Sequence, residues 1–154
     1  MKSKLDQIRD LLRSQTTLVL ATIGENSLPR STPLFYIVDD DIRLYWFSSR
    51  SSLHSRNCAR NPEVSIAVSK NVFRWQEIEG VQMQGLVSIV TDPALRKPIT
   101  GEYCERFQLG NFFALAIRRS ALHCFTPSWV RYLDNARRFG YKFELNLPAD
   151  SPAR

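Results

Sequence analysis

Leu5, Ile8, Leu11 and Leu12 recur at helical spacing in SKLDQIRDLLRSQ, with charged and amide side chains between them. That pattern predicts an amphipathic opening helix. The period then changes. TLVLATI is β-branched and apolar on both faces, which reads as a buried strand. GENSLP is turn chemistry, with Gly24 and Asn26 able to supply positive φ. RSTPLFYIV predicts a second strand, in which Pro33 is confined to an edge or a bulge. After Asp39, Asp40 and Asp41 turn the chain, IRLYWFS alternates Ile42, Leu44 and Trp46 with Arg43, Tyr45 and Phe47, so its two faces are used differently.

A short helix fits from about Leu53 to Arg60, stopped before Pro62. EVSIAVS puts Val64, Ile66 and Val68 on one face of a fourth strand. EIEGVQMQGLVSIV forms a fifth, with bulges expected at Gly80 and Gly85. DPALRKPITGEYCERF reads as helix broken by Pro98 and Gly101. NFFALAIRRSALHCFTP and FGYKFELNL read as further strands, and Phe112, Phe113, Phe139 and Phe143 as core on the simplest reading. The result is a mainly β chain with short helices (α+β): six or seven strands, about three short helices, and mostly tight turns. An antiparallel barrel closes such a set without leaving open edges.

The chain has 154 residues, 44% hydrophobic and 23% charged, which suits one globular domain over residues 1–147 and a flexible tail over 148–154. No apolar run approaches the roughly 20 residues of a membrane span. The charged N-terminus lacks the apolar segment of a signal peptide. Cys58, Cys104 and Cys124 are odd in number and widely spaced, so reduced thiols in a cytoplasmic protein are expected. His54 and His123 stand far apart and give no zinc pattern with those cysteines. The net charge of +6 is spread along the chain and interrupted by acids, which weakens a nucleic-acid reading. No Gly-rich nucleotide loop or nucleophile elbow occurs.

One stretch stands out chemically. FSSRSSLHSRNCARNP, residues 47–62, sets five serines, three arginines and a histidine behind an aromatic strand. Ser51 or Ser52 sits where an N-cap belongs, Ser48 and Ser49 add hydroxyls, and Arg50, His54 and Arg56 add positive or protonatable groups. Two readings compete: a serine-capped helix with solvated arginines, or a cradle for an anion at a helix N-terminus.

The order of these pieces resembles the FMN-binding split barrel, the fold of pyridoxamine 5′-phosphate oxidase and its relatives. A helix leads into LVLATIGENSLPRSTPLFYIV, then an aromatic strand, a Ser-rich turn, a short helix, Asn-Pro, a Val-Ser strand and GVQMQGLVSIV. The resemblance covers residues 5 to 92 well, and the ending looks like a subgroup of uncharacterised members. It implies a homodimer holding two FMN molecules across its interface, each flavin's phosphate at the turn after the third strand. Arg30, Ser31, Thr32 and Pro33 would then line the flavin. Phe47 and Ser48 would be the aromatic-hydroxyl pair that ends the third strand, Ser49 would add a hydroxyl donor, and Ser52 would cap the phosphate. Leu53 and His54 fall where relatives often carry arginine and lysine, so Arg50 or Arg56 is left to supply the missing charge. Gln82 and Gln84 share a strand face and suit a flavin's pyrimidine edge, the alternative being an exposed polar face. Trp129 is the aromatic expected to close the pocket, ahead of Trp75, although both also suit packing.

The resemblance permits hydride or electron transfer to or from a small-molecule substrate, with the flavin carrying the chemistry and no catalytic side chain required. Relatives of this barrel bind the deazaflavin F420 or haem, which leaves the cofactor open. A reading from another class is a basic binding module for single-stranded nucleic acid, since FRW and WVRYLDNARRFGYKF interleave bases with aromatics.

Overall fold

The opening helix forms because its first turn is satisfied locally. In the computed structural model, which describes residues 2–148, helix α1 (Lys4–Ser14) is capped by Ser3. The Ser3 hydroxyl accepts from the Asp6 amide and the Asp6 carboxylate accepts from the Ser3 N–H, a reciprocal capping box. Ile8, Leu11 and Leu12 are fully or nearly fully buried, each worth about 1.5–3 kcal/mol by removal from water. The Tyr36 hydroxyl donates to the Leu12 carbonyl at 2.6 Å and ties the helix to the sheet. The expected flexible tail lies, from residue 149 on, outside the described residues.

Eight strands follow: β1 (Thr17–Ile23), β2 (Pro29–Phe35), β3 (Ile37–Val38), β4 (Leu44–Ser48), β5 (Glu63–Ser69), β6 (Glu79–Ile89), β7 (Ala121–Asp134) and β8 (Lys142–Asn146). Helices α2 (Leu53–Arg60), α3 (Pro93–Arg106) and α4 (Asn111–Arg119) and a 3₁₀ turn (Trp75–Glu77) make up the other elements among the described residues. All pairings are antiparallel, in the order β2-β1-β5-β6-β7-β4-β3, with β8 also on β7. Phe35 pairs with Thr17 at one edge and Ile37 with Tyr45 at the other. Only Tyr36 lies between them, so one continuous stretch joins both edges. This is why the expected second strand counts as two. Strand β7 is a fork: its first half pairs with β4 and its second half with β8, while β6 runs along its other side. The architecture is a mainly β split barrel with short helices.

Two cores result. Leu20, Trp46, Ile66, Met83, Phe125 and Val130 belong to the barrel interior, and Tyr45, Phe47, Tyr103, Leu122 and Cys124 to a second cluster under α3. The alternation in β4 feeds both, as its sequence predicts. At the β6–β7 bulge, Gln84 faces Trp129 and Gly85 faces Pro127, so Ser128 is the extra residue. Pro127 has no N–H to donate and sits at the irregularity. A Cβ on Gly85 would stand 2.1 Å from the Thr126 carbonyl oxygen. Only glycine fits.

Several local expectations are corrected. Gly80 keeps register with Ser69 and Leu133 and makes no bulge. The positive φ in the β1–β2 turn falls on Ser27, not on Gly24 or Asn26. Helix α3 runs unbroken through Pro98 and Gly101. Residues 111–119 are helix, not strand: Asn111–Arg119 is amphipathic at helical period, and Arg96 donates to the Ile117, Arg118 and Ser120 carbonyls near its end. Phe112, Phe113 and Phe139 are exposed; only Phe143 of the four is core. Strand β1 buries one face only, leaving Val19 and Ile23 exposed. No described helix is long and apolar enough to cross a membrane.

Candidate cofactor-binding site

The serine-rich turn folds onto itself. Ser52 caps α2, its hydroxyl accepting from the Ser55 amide at 3.4 Å and donating to the Ser49 carbonyl at 2.9 Å. The Ser49 and Ser51 hydroxyls are 2.8 Å apart. His54 bends back across the turn, placing Nε2 2.8 Å from Ser48 Oγ and 3.2 Å from Ser52 Oγ. Burial pushes the His54 pKa below its ordinary 6.5, so the free protein holds it neutral at pH 7. The first turn of α2 contains no acid, leaving the partial positive charge of the helix N-terminus uncompensated there.

On the side of α2 that carries Leu53 lies a recess of about 470 Å³, lined by Gly24, Asn26, Arg30, Leu53, Arg56 and Arg60 among others. Leu53 and Arg56 share a helix face by their i,i+3 spacing. Arg60 is paired with Glu25 at 3.2 Å. The β1–β2 turn closes on the Gly24 amide, which donates to the Leu28 carbonyl at 2.9 Å. Arg30 and Arg56 are exposed beside it.

The remaining candidates separate by strand period. Ser31, Ala21, Ser65, Gln84, Trp129 and Asn146 form one cross-strand row; Pro33, Val19, Ala67, Gln82, Arg131 and Glu144 form the next. Both rows lie on the outward face of the sheet. Arg30 and Thr32 belong to the opposite face, in register with Thr22 and Leu20. The four residues Arg30–Pro33 therefore divide two and two. Gln82 and Gln84 are exposed, the exposed polar face that their alternation also allowed. Trp129 lies under Arg131, whose guanidinium is 5.3 Å from its ring centroid, and its indole N–H donates to Glu144 at 3.4 Å. The Phe47 ring is committed to the second core, edge-on to Tyr103 at 5.0 Å. An outward groove of about 650 Å³ includes Ala21, Ile23, Pro29, Ser65, Gln84 and Leu86. It meets the arginine recess at the β1–β2 turn, where Ile23 and Pro29 line one and Gly24 and Arg30 the other.

So the structure brings Ser48, Ser49, Ser52 and His54 together, and sets Arg30 and Leu53 in the adjoining recess. Gln84, with Ser31 across the sheet, lies on the outward face. Sequence reasoning did not reach Arg60 or the Gly24 turn; the i,i+3,i+7 spacing of Leu53, Arg56 and Arg60 is the signal that points to them. Among the described residues, no group of three or more His, Cys, Asp or Glu side chains is placed to hold a metal ion.

A family model described as pyridoxamine 5′-phosphate oxidase matches residues 5–134. The chain belongs to this family. No curated protein sequence matches it. Among solved structures, a conserved hypothetical protein from Mycobacterium tuberculosis is similar with TM-score 0.78 and 20% identity, over 97% of this chain and 96% of that one. A Clostridium acetobutylicum protein related to general stress protein 26, of the pyridoxinephosphate oxidase family, gives TM-score 0.69 at 17% identity, over 93% and 94%. A haem-binding protein from Mycobacterium smegmatis gives 0.77 at 16%; the alignment covers 95% of this chain but 59% of that one. At these identities the likeness is one of fold, and this family member's ligand has to be argued from its own residues.

Proposed function

We propose that the protein is an FMN-binding flavoprotein, a homodimer that acts as an oxidoreductase on a small-molecule substrate. One observation carries the reading. Arg30 and Arg56 line one recess with Leu53 of the first turn of α2, and Leu53 follows directly on the capping Ser52, whose hydroxyl shares His54 Nε2 with Ser48. A phosphate monoester needs this set: charge from guanidinium groups, hydroxyl donors and a helix N-terminus. Leu53 stands where relatives often carry arginine, and Arg56 on the same helix face supplies that charge. The donor set fits the group.

In this reading Arg30 and Arg56 bind the phosphate, Ser48 and Ser52 orient it, and His54 exchanges its serine partners for the anion. Ser31, Gln82, Gln84 and Trp129 offer hydroxyl, amide and aromatic contacts on the outward face. Bound FMN supplies hydride or single-electron transfer; the chain's part is binding and orientation. A second copy is supported by the same face. Val19, Ile23 and Leu86 are each more than 40% exposed there, an apolar set that a partner subunit would cover.

Haem is the second reading, favoured by the haem-binding Mycobacterium smegmatis protein and by HutZ, the haem storage protein of Vibrio cholerae, which share the fold. The arginine recess suits carboxylates as well as phosphate. Against it, His54 Nε2 is engaged by two serines, and His123 is 2% exposed and lines only a cavity of about 220 Å³ behind α2, too small for a porphyrin. The nucleic-acid reading is weakened because Arg74, Arg131 and Arg137 are ion-paired with Glu77, Glu144 and Asp134. Titrating cofactor-free protein with FMN and, separately, with haem decides between them. Quenching of flavin fluorescence at a stoichiometry of one per chain is expected; haem saturation without any flavin binding would reverse the assignment.

A further inference from the structure

Behind α2, on the side away from the arginine recess, lies a small cavity of about 220 Å³. Its walls include Ser55 and Cys58 from α2, Pro62, Val87 from β6 and His123 from β7. Most of this lining is apolar. Three residues differ: His123, Ser55 and Ser88, whose Oγ is likewise buried with no hydrogen-bond partner among the described residues. His123 is 2% exposed, and its Nδ1 has no hydrogen-bond partner among the described residues. Its ring lies parallel to Trp46, with centroids 5.5 Å apart, so stacking fixes its plane. Ser55 is 6% exposed. Its Oγ lies 2.8 Å from Ser52 Oγ, whose single proton is shared with the Ser49 carbonyl, so Ser55 Oγ keeps hydrogen-bonding capacity for a further partner.

A buried imidazole nitrogen and two serine hydroxyls in one cavity define what fits between them. The occupant must offer and accept hydrogen bonds at once, carry no charge into an apolar chamber, and be small. Water meets all three conditions, and a water site requires polar partners at its edge, as here. An ion is disfavoured because no carboxylate lines the cavity and burial holds the Cys58 thiol protonated, its pKa pushed up to about 11.

We propose that this cavity is a buried water site joining the Ser55 hydroxyl to His123 Nδ1. The serine chain at the turn then does not end at the helix cap. It runs from His54 Nε2 to Ser52 Oγ, to Ser55 Oγ, through the bound water, and on to His123 inside the barrel. The water thereby fixes the Ser55 rotamer from behind, and Ser55 in turn fixes the hydroxyl of the capping serine. The inference concerns the apo-protein and stands whether FMN, haem or neither binds in front.

A crystal of the full chain at high resolution, examined with and without xenon pressure, tests it. Ordered water within hydrogen-bond distance of both Ser55 Oγ and His123 Nδ1 is expected, with no xenon in the chamber. Xenon filling the cavity, a metal ion on Cys58 and His123, or His123 Nδ1 bonded directly to a protein group would each overturn the proposal. In solution, the His123 imidazole protons are expected to show cross-relaxation with a long-lived water in the wild type. That signal is expected to vanish in Ser55→Ala and in His123→Phe. Two variants are needed because His123→Phe alters the stack on Trp46, whereas Ser55→Ala removes one hydroxyl. Persistence of the signal in folded Ser55→Ala would place the water elsewhere and refute the bridge.

Discussion

His54 Nε2 lies 2.8 Å from Ser48 Oγ, so a side chain six residues along the chain occupies the hydroxyl through which a phosphate would be held. Burial lowers the His54 pKa in the free protein, whereas an adjacent phosphate favours the charged imidazolium. Binding the anion therefore takes up a proton. FMN affinity is expected to strengthen as pH falls through the window between the lowered free pKa and the raised bound one. His54→Ala should weaken binding about tenfold at pH 6 and less at pH 8, the order of one charge-assisted hydrogen bond. Fluorescence titrations of both proteins separate this effect from the phosphate's own second ionisation near about 6. Parallel pH profiles would remove His54 from the site.

Arg56 carries the charge that Leu53 does not. Replacing it by glutamine keeps the helix propensity of an exposed position and removes a cation from the recess. FMN affinity should drop by roughly 10- to 30-fold, a partly solvated charged contact of about 1.5–2 kcal/mol, with the melting temperature unchanged. Riboflavin, which lacks the phosphate, should bind wild type and Arg56→Gln alike. Equal losses for both ligands would move Arg56 away from the phosphate.

His123 makes stability depend on pH. Burial holds its pKa at about 4, against an ordinary 6.5. The unfolded chain thus binds the proton more readily than the folded one. The stabilising contribution is present above pH 6.5 and is lost as pH falls toward 4, amounting to roughly 3 kcal/mol. Denaturant midpoints measured across that range should decline in the wild type, and more gently in His123→Gln. A wild-type midpoint that stays level from pH 7 to 4.5 would contradict a buried neutral imidazole.

Much of this was legible in the sequence, and the misses have physical causes. Helix α2 runs from Leu53 to Arg60, as expected, because a serine cap and Asn-Pro mark its ends chemically. Pro33 sits on the edge strand β2 and Gly85 at a bulge, where each residue's backbone chemistry confines it. Residues 111–119 were misread because phenylalanine and isoleucine favour strands intrinsically, while tertiary contacts such as Arg96 on the helix end decide the matter. The site was less legible. Ser48 and His54 lie six residues apart and could be grouped, but Arg30 reaches Arg56 only through sheet register and the placement of α2. Strand period also separates Arg30 from Ser31, a division that a contiguous motif hides.

Gly85 is the most constrained backbone position. Its added Cβ would meet the Thr126 carbonyl at 2.1 Å and the Pro127 Cα at 2.8 Å, both backbone and unable to swing aside. Gly85→Ala must therefore push β6 from β7 at the bulge, a strain of at least about 1–3 kcal/mol. Thermal unfolding should show a fall of several degrees or more. Gly101→Ala is the control. Nothing lies within 4 Å of its Cβ, and a helix gains stability from alanine there. Similar melting temperatures for Gly85→Ala and wild type would mean that the bulge is laid out differently.

Strand β1 carries the clue to assembly. TLVLATI is apolar on both faces, yet the barrel buries only Leu18, Leu20 and Thr22; Val19 and Ile23 look outward and Leu86 joins them across the sheet. An apolar second face on a strand that the fold leaves open has no function in the monomer. In the proposed homodimer a second copy would cover it. Val19→Asp places a charge at the centre of that face without touching the core, so circular dichroism and folding should be unchanged while the mass measured by light scattering halves. Because the outward groove adjoins the arginine recess, FMN affinity should fall as Val19→Asp dissociates the dimer and recover at high protein concentration. A wild type that is monomeric at all concentrations, or a Val19→Asp protein that remains dimeric, would assign the exposed face to some other partner.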